Sequence, residues 1–184
     1  MKKEHKIAII IVAVLVVVLG VALFLNKDLM TNNKETFENV ELNIIENGNE
    51  IGKISYDELI DLEAKEFTAT YDTSKTDPVI ENYKGVELKK VFEHFGISLE
   101  GKSTVILTAV DNFTIAYSVD EVMKDENVFV TFEIEGEAIS SKENGGSGPL
   151  VAIVADDMFS NRRCKWMISA EVIEWLRLKL RICK

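Results

Sequence analysis

Hydrophobic and polar positions alternate with a period of two over much of the chain, and helical periodicity appears only in short stretches between these runs. Residues 40–45 (VELNII) and 51–54 (IGKI) flank Asn47-Gly48. That pair favours a tight hairpin turn because both residues tolerate positive φ. Ser55 followed by Glu58 is a capping-box pattern and predicts a short helix with Leu59, Ile60 and Leu62 on its apolar side. Residues 66–71 (EFTATY) alternate and are rich in β-formers, which predicts a strand. Residues 72–82 contain Pro78 and read as a polar loop.

Further along, Val86, Leu88, Val91, Phe92 and Phe95 form a helical stripe that Gly96 terminates. Residues 104–110 and 113–117 predict two strands joined at Asp111-Asn112. Ser118 with Glu121 supplies a second capping box before a short helix. Residues 128–134 predict a strand that turns at Glu135-Gly136. Residues 150–155 read as a buried run, and a further strand-like run opens at Lys165-Trp166. Residues 176–182 alternate Leu or Ile with Arg177, Lys179 and Arg181, the pattern of an amphipathic strand with a basic face. Strands dominate, the helices are short, and no regular strand–helix alternation runs through the chain. The predicted class is α+β rather than a doubly wound sheet.

One segment stands apart from this pattern. Residues 7–25 are nineteen apolar residues interrupted only by Gly20. As a helix they would span about 28 Å, close to the ~30 Å hydrocarbon thickness of a bilayer. Lys2, Lys3 and Lys6 precede them, which predicts a cytoplasmic N-terminus over residues 1–6 and an extracytoplasmic remainder. The competing reading is a cleaved signal peptide. The run is long for one, and no small-x-small site follows it. Residues 26–39 read as a polar linker and residues 40–184 as one domain, large enough to bury its own core.

Without the three Lys and one Glu of the first 25 residues, the chain keeps 18 basic and 30 acidic residues, a net charge of −12. That balance argues against nucleic acid as a partner. The two cysteines, Cys164 and Cys183, form no CxxC pair. Outside the membrane they could form a disulfide or remain separate thiols, and the sequence leaves both open.

Candidate chemistry gathers near the C-terminus. Gly145, Gly146 and Gly148 lead through Pro149 into the buried run, and a polar loop carrying Arg162, Arg163 and Lys165 follows. A basic loop between two strands in an acidic domain can hold an anion, since arginine suits bidentate contact with phosphate. The competing reading is a solvated loop. His94 is expected at the surface, Asp156 and Asp157 are expected to be loop residues, and Trp166 and Trp175 to pack. With only two histidines in the chain, a histidine metal triad has little to draw on.

The order of these pieces resembles the molybdopterin-binding domain of the sulfite-oxidase family over roughly residues 40–173. The carriers are the first hairpin with its capped helix, EFTATY, the step Tyr83-Lys84-Gly85-Val86-Glu87-Leu88, the Asp111-Asn112-Phe113 turn, FVTFEIEGEAI, and the Gly-Pro-Leu and Lys-Trp elements. The resemblance implies a membrane-anchored oxidoreductase-family domain with a pterin-type cofactor, which Arg162, Arg163 and Lys165 would hold by its anionic part. It also implies either a membrane redox partner or an anionic small ligand. Catalytic members place a cysteine thiolate on molybdenum just after the strand matching EFTATY. Here that place holds Asp72, Thr73 and Ser74, and no cysteine occurs before Cys164. The resemblance therefore leaves molybdenum in question. The alternative is a non-catalytic domain that binds a ligand or partner on the same fold.

Overall fold

The computed structural model describes Leu15, Phe37 and residues 39–174. The anchor at residues 7–25 apart from Leu15, nearly all of the linker, Trp175, Cys183 and the alternating tail at 176–182 lie outside the described residues. Among those described, no helix is long and apolar enough to cross a membrane. The packed unit begins at Phe37, whose ring lies 4.7 Å from that of Tyr56.

The first hairpin forms as its turn residues dictate. Strands β1 (Glu41–Glu46) and β2 (Asn49–Ser55) meet at Asn47 and Gly48, whose φ values are 52° and 87°. Helix α1 (Tyr56–Asp61) starts at Ser55, where both reciprocal bonds of the capping box with Glu58 are made. The two long strands β3 (Lys65–Thr73) and β4 (Thr76–Glu87) follow, then α2 (Leu88–His94). Strands β5 (Thr104–Ala109) and β6 (Thr114–Ser118) lead into α3 (Val119–Met123), capped by Ser118 and Glu121 in the same reciprocal way. The chain then forms β7 (Val128–Ile134), β8 (Glu137–Ala138), β9 (Val151–Val154), a single 3-10 turn (Ser160–Arg162) and β10 (Met167–Ile173).

These strands make two five-stranded sheets. One has the order β2-β1-β10-β5-β6, with β1 and β10 parallel and its other pairs antiparallel. The other runs β3-β4-β7-β8, with β9 also on β7. The main core takes Leu42, Ile44, Leu107 and Val172 from the first sheet, Val130 and Phe132 from the second, and Leu59 and Phe92 from the helices. A smaller cluster of Ala69, Tyr83, Ile139, Val151 and Ile153 buries the second sheet's other face. There Phe67 stacks on Phe129 at 3.9 Å. Burial on both faces is why β7 and β9 read as continuous apolar runs rather than alternating ones.

Two expectations are corrected. Residues 72–82 are not a loop: β3 and β4 form one long hairpin, in register from Lys65↔Gly85 to Thr73↔Thr76. Pro78 is tolerated because of the edge it faces. Asn82 turns its N–H and C=O toward Glu135 and away from β3. By the two-residue alternation, Pro78 faces the same open side, where a strand needs no donor. Val86 does not belong to the helix either, and nor do the residues just before it. Residues 83–87 pair with β7, and α2 begins at Leu88. Gly85 serves this pairing: a Cβ there would sit 2.5 Å from the Val130 carbonyl oxygen, at a register shift between Lys84 and Gly85.

Candidate functional site

The loop between β9 and β10 carries all three predicted site residues, and the strands it touches separate their roles. Ser160 lies against the edge strand β3. Its Oγ accepts the Asp72 N–H at 2.9 Å and donates to the Thr70 carbonyl at 3.2 Å. The loop thereby takes the place of a neighbouring strand and covers an edge that would otherwise present unpaired groups.

Arg162 points into an ion-pair network. Its guanidinium meets Asp157 through two bonds of 2.9 and 2.7 Å and Glu121 at 2.7 Å. These bonds push its pKa up. Burial raises the Glu121 carboxyl, but Arg162 and the Ser118 cap outweigh that and hold it below the usual range. The Tyr117 hydroxyl donates to the Arg162 carbonyl, beneath the cation. Arg162 thus ties the loop to α3, and its charge is committed.

Arg163 lies between two tyrosines, 5.2 Å from the Tyr71 ring and 5.0 Å from that of Tyr83. It donates to the Tyr83 hydroxyl at 2.6 Å and to the Thr70 carbonyl at 2.9 Å. Tyr83 in turn donates to Glu81, and burial, then that bond, raises its phenol pKa. Two of the five guanidinium N–H groups are spent in this way, and the other three have no partner among the described residues. Cys164, fully buried, bridges to Ala152 through backbone bonds of 2.9 and 3.2 Å. Burial, reinforced by the Asp111 charge, pushes its thiol up to about 11. It is a free cysteine, and its possible partner Cys183 lies outside the described residues.

Lys165 is exposed and has no ion-pair partner among the described residues. With Arg163, Asp111, Phe113 and Trp166 it lines a cleft of about 240 Å3. The structure therefore brings Arg163 and Lys165 together and places Arg162 elsewhere. On another side of Trp166, Lys142 lies 4.3 Å over the indole and approaches Asp111 at 3.9 Å. Trp166 is not simply a packing residue, since it also lines this cleft. His94 is exposed, as expected, and Asp156 and Asp157 are loop residues that pair with Lys124 and Arg162.

The turn after β3 is where the resemblance puts a metal-ligating cysteine. It faces a second cleft of about 540 Å3, lined by Asp72, Thr73, Ser74, Phe159, Ser160 and Asn161. The Thr73 and Thr76 hydroxyls bond to each other at 2.8 Å across the turn. Among the described residues no group of three or more His, Cys, Asp or Glu is arranged to hold a metal ion.

Sequence reasoning missed Tyr71, Tyr83 and Ser160. They fix the loop from positions about 80 to 90 residues away or, for Ser160, by bonds of that span. The only local signal was the alternation that put Tyr71 and Tyr83 on one face of a hairpin, and the 72–82 loop reading hid it.

No curated protein matches the chain in sequence. Among solved structures it is similar to the sulfane dehydrogenase SoxCD from Paracoccus pantotrophus, with a TM-score of 0.62 at 15% identity. That match covers 77% of this chain and 40% of the other, so the chain spans about two fifths of the length of the protein it resembles. The likeness is one of fold. A sequence model of the oxidoreductase molybdopterin binding domain matches residues 30–177. Together with the two-sheet fold and its basic loop, that match shows that the chain belongs to the oxidoreductase molybdopterin binding domain family.

Proposed function

We propose that this chain is a membrane-anchored, extracytoplasmic member of the family that binds a small anionic ligand and does not hold molybdenum through a protein thiolate. The family implies a molybdopterin cofactor. The residues present do not fit the metal part of it. The turn after β3 offers only oxygen donors, and a Thr or Ser hydroxyl would have to ionise to replace a soft thiolate. Thr73 already bonds Thr76. The one described thiol, Cys164, is buried within the core with its pKa raised. This Thr/Ser turn is the observation that carries the reading.

What remains is the basic cleft. Arg163, with three N–H groups that have no partner among the described residues, and the exposed Lys165 present positive charge in a chain whose residues 26–184 carry a net charge of −12. The scaffold does not depend on the cofactor, because the strands and capped helices build its core. Anchoring rests on the apolar run at residues 7–25 and the three lysines before it.

Metal and pterin analysis of the full chain, purified in detergent from cells grown with ample molybdate, tests the reading. Protein free of molybdenum that still binds inorganic phosphate through Lys165 is expected. Stoichiometric molybdenum with a pterin would overturn it and restore an oxidoreductase. Protease added outside intact cells is expected to digest residues 40–184; full protection would overturn the orientation.

A further inference from the structure

Trp166 is a bulky residue in the left-handed region, with φ of 53°. A side chain of this size in that conformation costs on the order of 1–3 kcal/mol and persists only where its surroundings over-determine it. Here they do. The Trp166 N–H donates to the Ser147 carbonyl at 2.9 Å, its own carbonyl accepts from Val110 at 3.0 Å, and its indole Nε1 donates to the Gly146 carbonyl at 2.7 Å. Lys142 lies over its ring. The indole is therefore fixed in place, half-buried, as one wall of the cleft that also contains Arg163, Lys165 and Phe113. Phe113 is 47% exposed, so a second aromatic surface is open to whatever enters.

We infer that the ligand of this cleft is a planar aromatic anion of single-ring size, with its ring against Trp166 and Phe113 and its carboxylate or equivalent group on Lys165 and the free N–H groups of Arg163. The inference rests on the proposed anion-binding role and specifies the ligand. The walls set the class: two cations with unspent donors need an acceptor-rich anion, and an exposed Phe113 ring beside a half-buried indole that Lys142 covers on one face favours a flat, apolar body. The volume sets the size. At about 240 Å3 the cleft falls below the ~300–1,000 Å3 of pockets for drug-sized molecules. Asp111, on the same cleft, excludes a second negative group on that side and gives a ring hydroxyl or amine an acceptor.

Benzoate, benzyl alcohol and inorganic phosphate separate these contributions, titrated by calorimetry into the full chain in detergent. Benzoate is expected to bind about tenfold more tightly than phosphate, and benzyl alcohol more weakly than benzoate. Lys165→Ala is expected to weaken both anions. Phe113→Ala and Trp166→Leu are expected to weaken benzoate by about three- to tenfold while leaving phosphate within about twofold. Trp166→Phe, which keeps a ring, serves if Trp166→Leu does not fold. If phosphate binds through Lys165 but benzoate binds no more tightly, or loses nothing in Phe113→Ala, the aromatic ligand is wrong and the anion site stands. If neither anion binds, the anion site itself is wrong.

Discussion

Ser160 Oγ and the backbone N–H of Asp72 lie 2.9 Å apart across 88 residues of sequence. The same hydroxyl donates to the Thr70 carbonyl, and Arg163 donates to that carbonyl as well. One side chain thus satisfies both a donor and an acceptor on the exposed edge of a nine-residue strand. The contact joins the basic loop to the turn where the family's metal ligand would lie, so the two halves of the candidate site share one anchor.

Ser160→Ala removes that anchor and leaves the Asp72 N–H and part of the Thr70 carbonyl without this partner. Loss of about 1–2 kcal/mol of stability is expected, since an unmade hydrogen bond at a half-buried group costs on that order. The uncovered edge is also expected to raise aggregation. Urea denaturation and light scattering on the same sample check both. A variant as stable and as monomeric as the parent would show that the loop covers the edge without Ser160.

Arg163→Lys tests whether charge or shape holds the loop. Lysine keeps the charge but cannot bond Tyr83 and Thr70 at once while lying between two rings. A loss of about 1–2 kcal/mol is expected by thermal or urea unfolding, with Arg163→Ala no more than about 1 kcal/mol worse. Full retention of stability in Arg163→Lys would mean that the planar, bidentate geometry is not what matters.

Much of this architecture was legible in the sequence because its signals are local. The Asn47-Gly48 turn, both capping boxes and the Gly96 stop are each set by residues within a few positions of one another, and each forms as expected. What was not legible depends on distant partners. Pro78 reads as a loop former until β7 is seen to end near Asn82, which leaves the open side of β4 without a need for donors. Val86 reads as part of a helical stripe until residues 83–87 are seen to pair with β7, where the Val130 carbonyl lies against Gly85. Arg162 and Arg163 are adjacent and look equivalent, yet Glu121 and Asp157 claim one while Tyr83 and Thr70 hold the other. Arg162 ends a 3-10 turn and Arg163 leaves it in an extended conformation, so the two side chains diverge, and no one-dimensional pattern reveals what waits on each side.

Gly85→Ala is expected to cost several kcal/mol. The added Cβ would lie 2.5 Å from the Val130 carbonyl oxygen and 2.9 Å from the Thr131 Cα, and both are backbone atoms that cannot rotate aside. Overpacking of this kind typically costs about 1–3 kcal/mol and more when backbone must move. The lesion falls where β4 joins β7, so hydrogen exchange is expected to rise first in residues 83–87 and 128–134. An unfolding midpoint equal to that of the parent would show that the β4–β7 pairing tolerates a shift.

Glu87 gives the molecule an acid-sensitive staple. Glu87 is 4% exposed, and its carboxylate meets Lys65 at 2.8 Å and Lys89 at 2.9 Å, while the Glu126 N–H donates to it at 3.3 Å. Burial alone would raise its pKa, but the two lysines and the backbone donor outweigh burial and hold it at about 2. A depressed carboxyl contributes stability that is fully present above its unfolded value, near 4.5, and is lost as pH falls toward about 2. The shift corresponds to at most roughly 3 kcal/mol, since one pKa unit is about 1.4 kcal/mol. Glu87→Gln leaves two lysines facing a neutral amide and is expected to destabilise the domain by about 2–4 kcal/mol at pH 7. It is also expected to flatten the stability profile between pH 4.5 and 2 relative to the parent. Urea midpoints measured at half-unit steps across that window decide the matter. If parent and variant lose stability in parallel, Glu87 is not the group that titrates, and the acid sensitivity lies with other carboxylates such as Glu121.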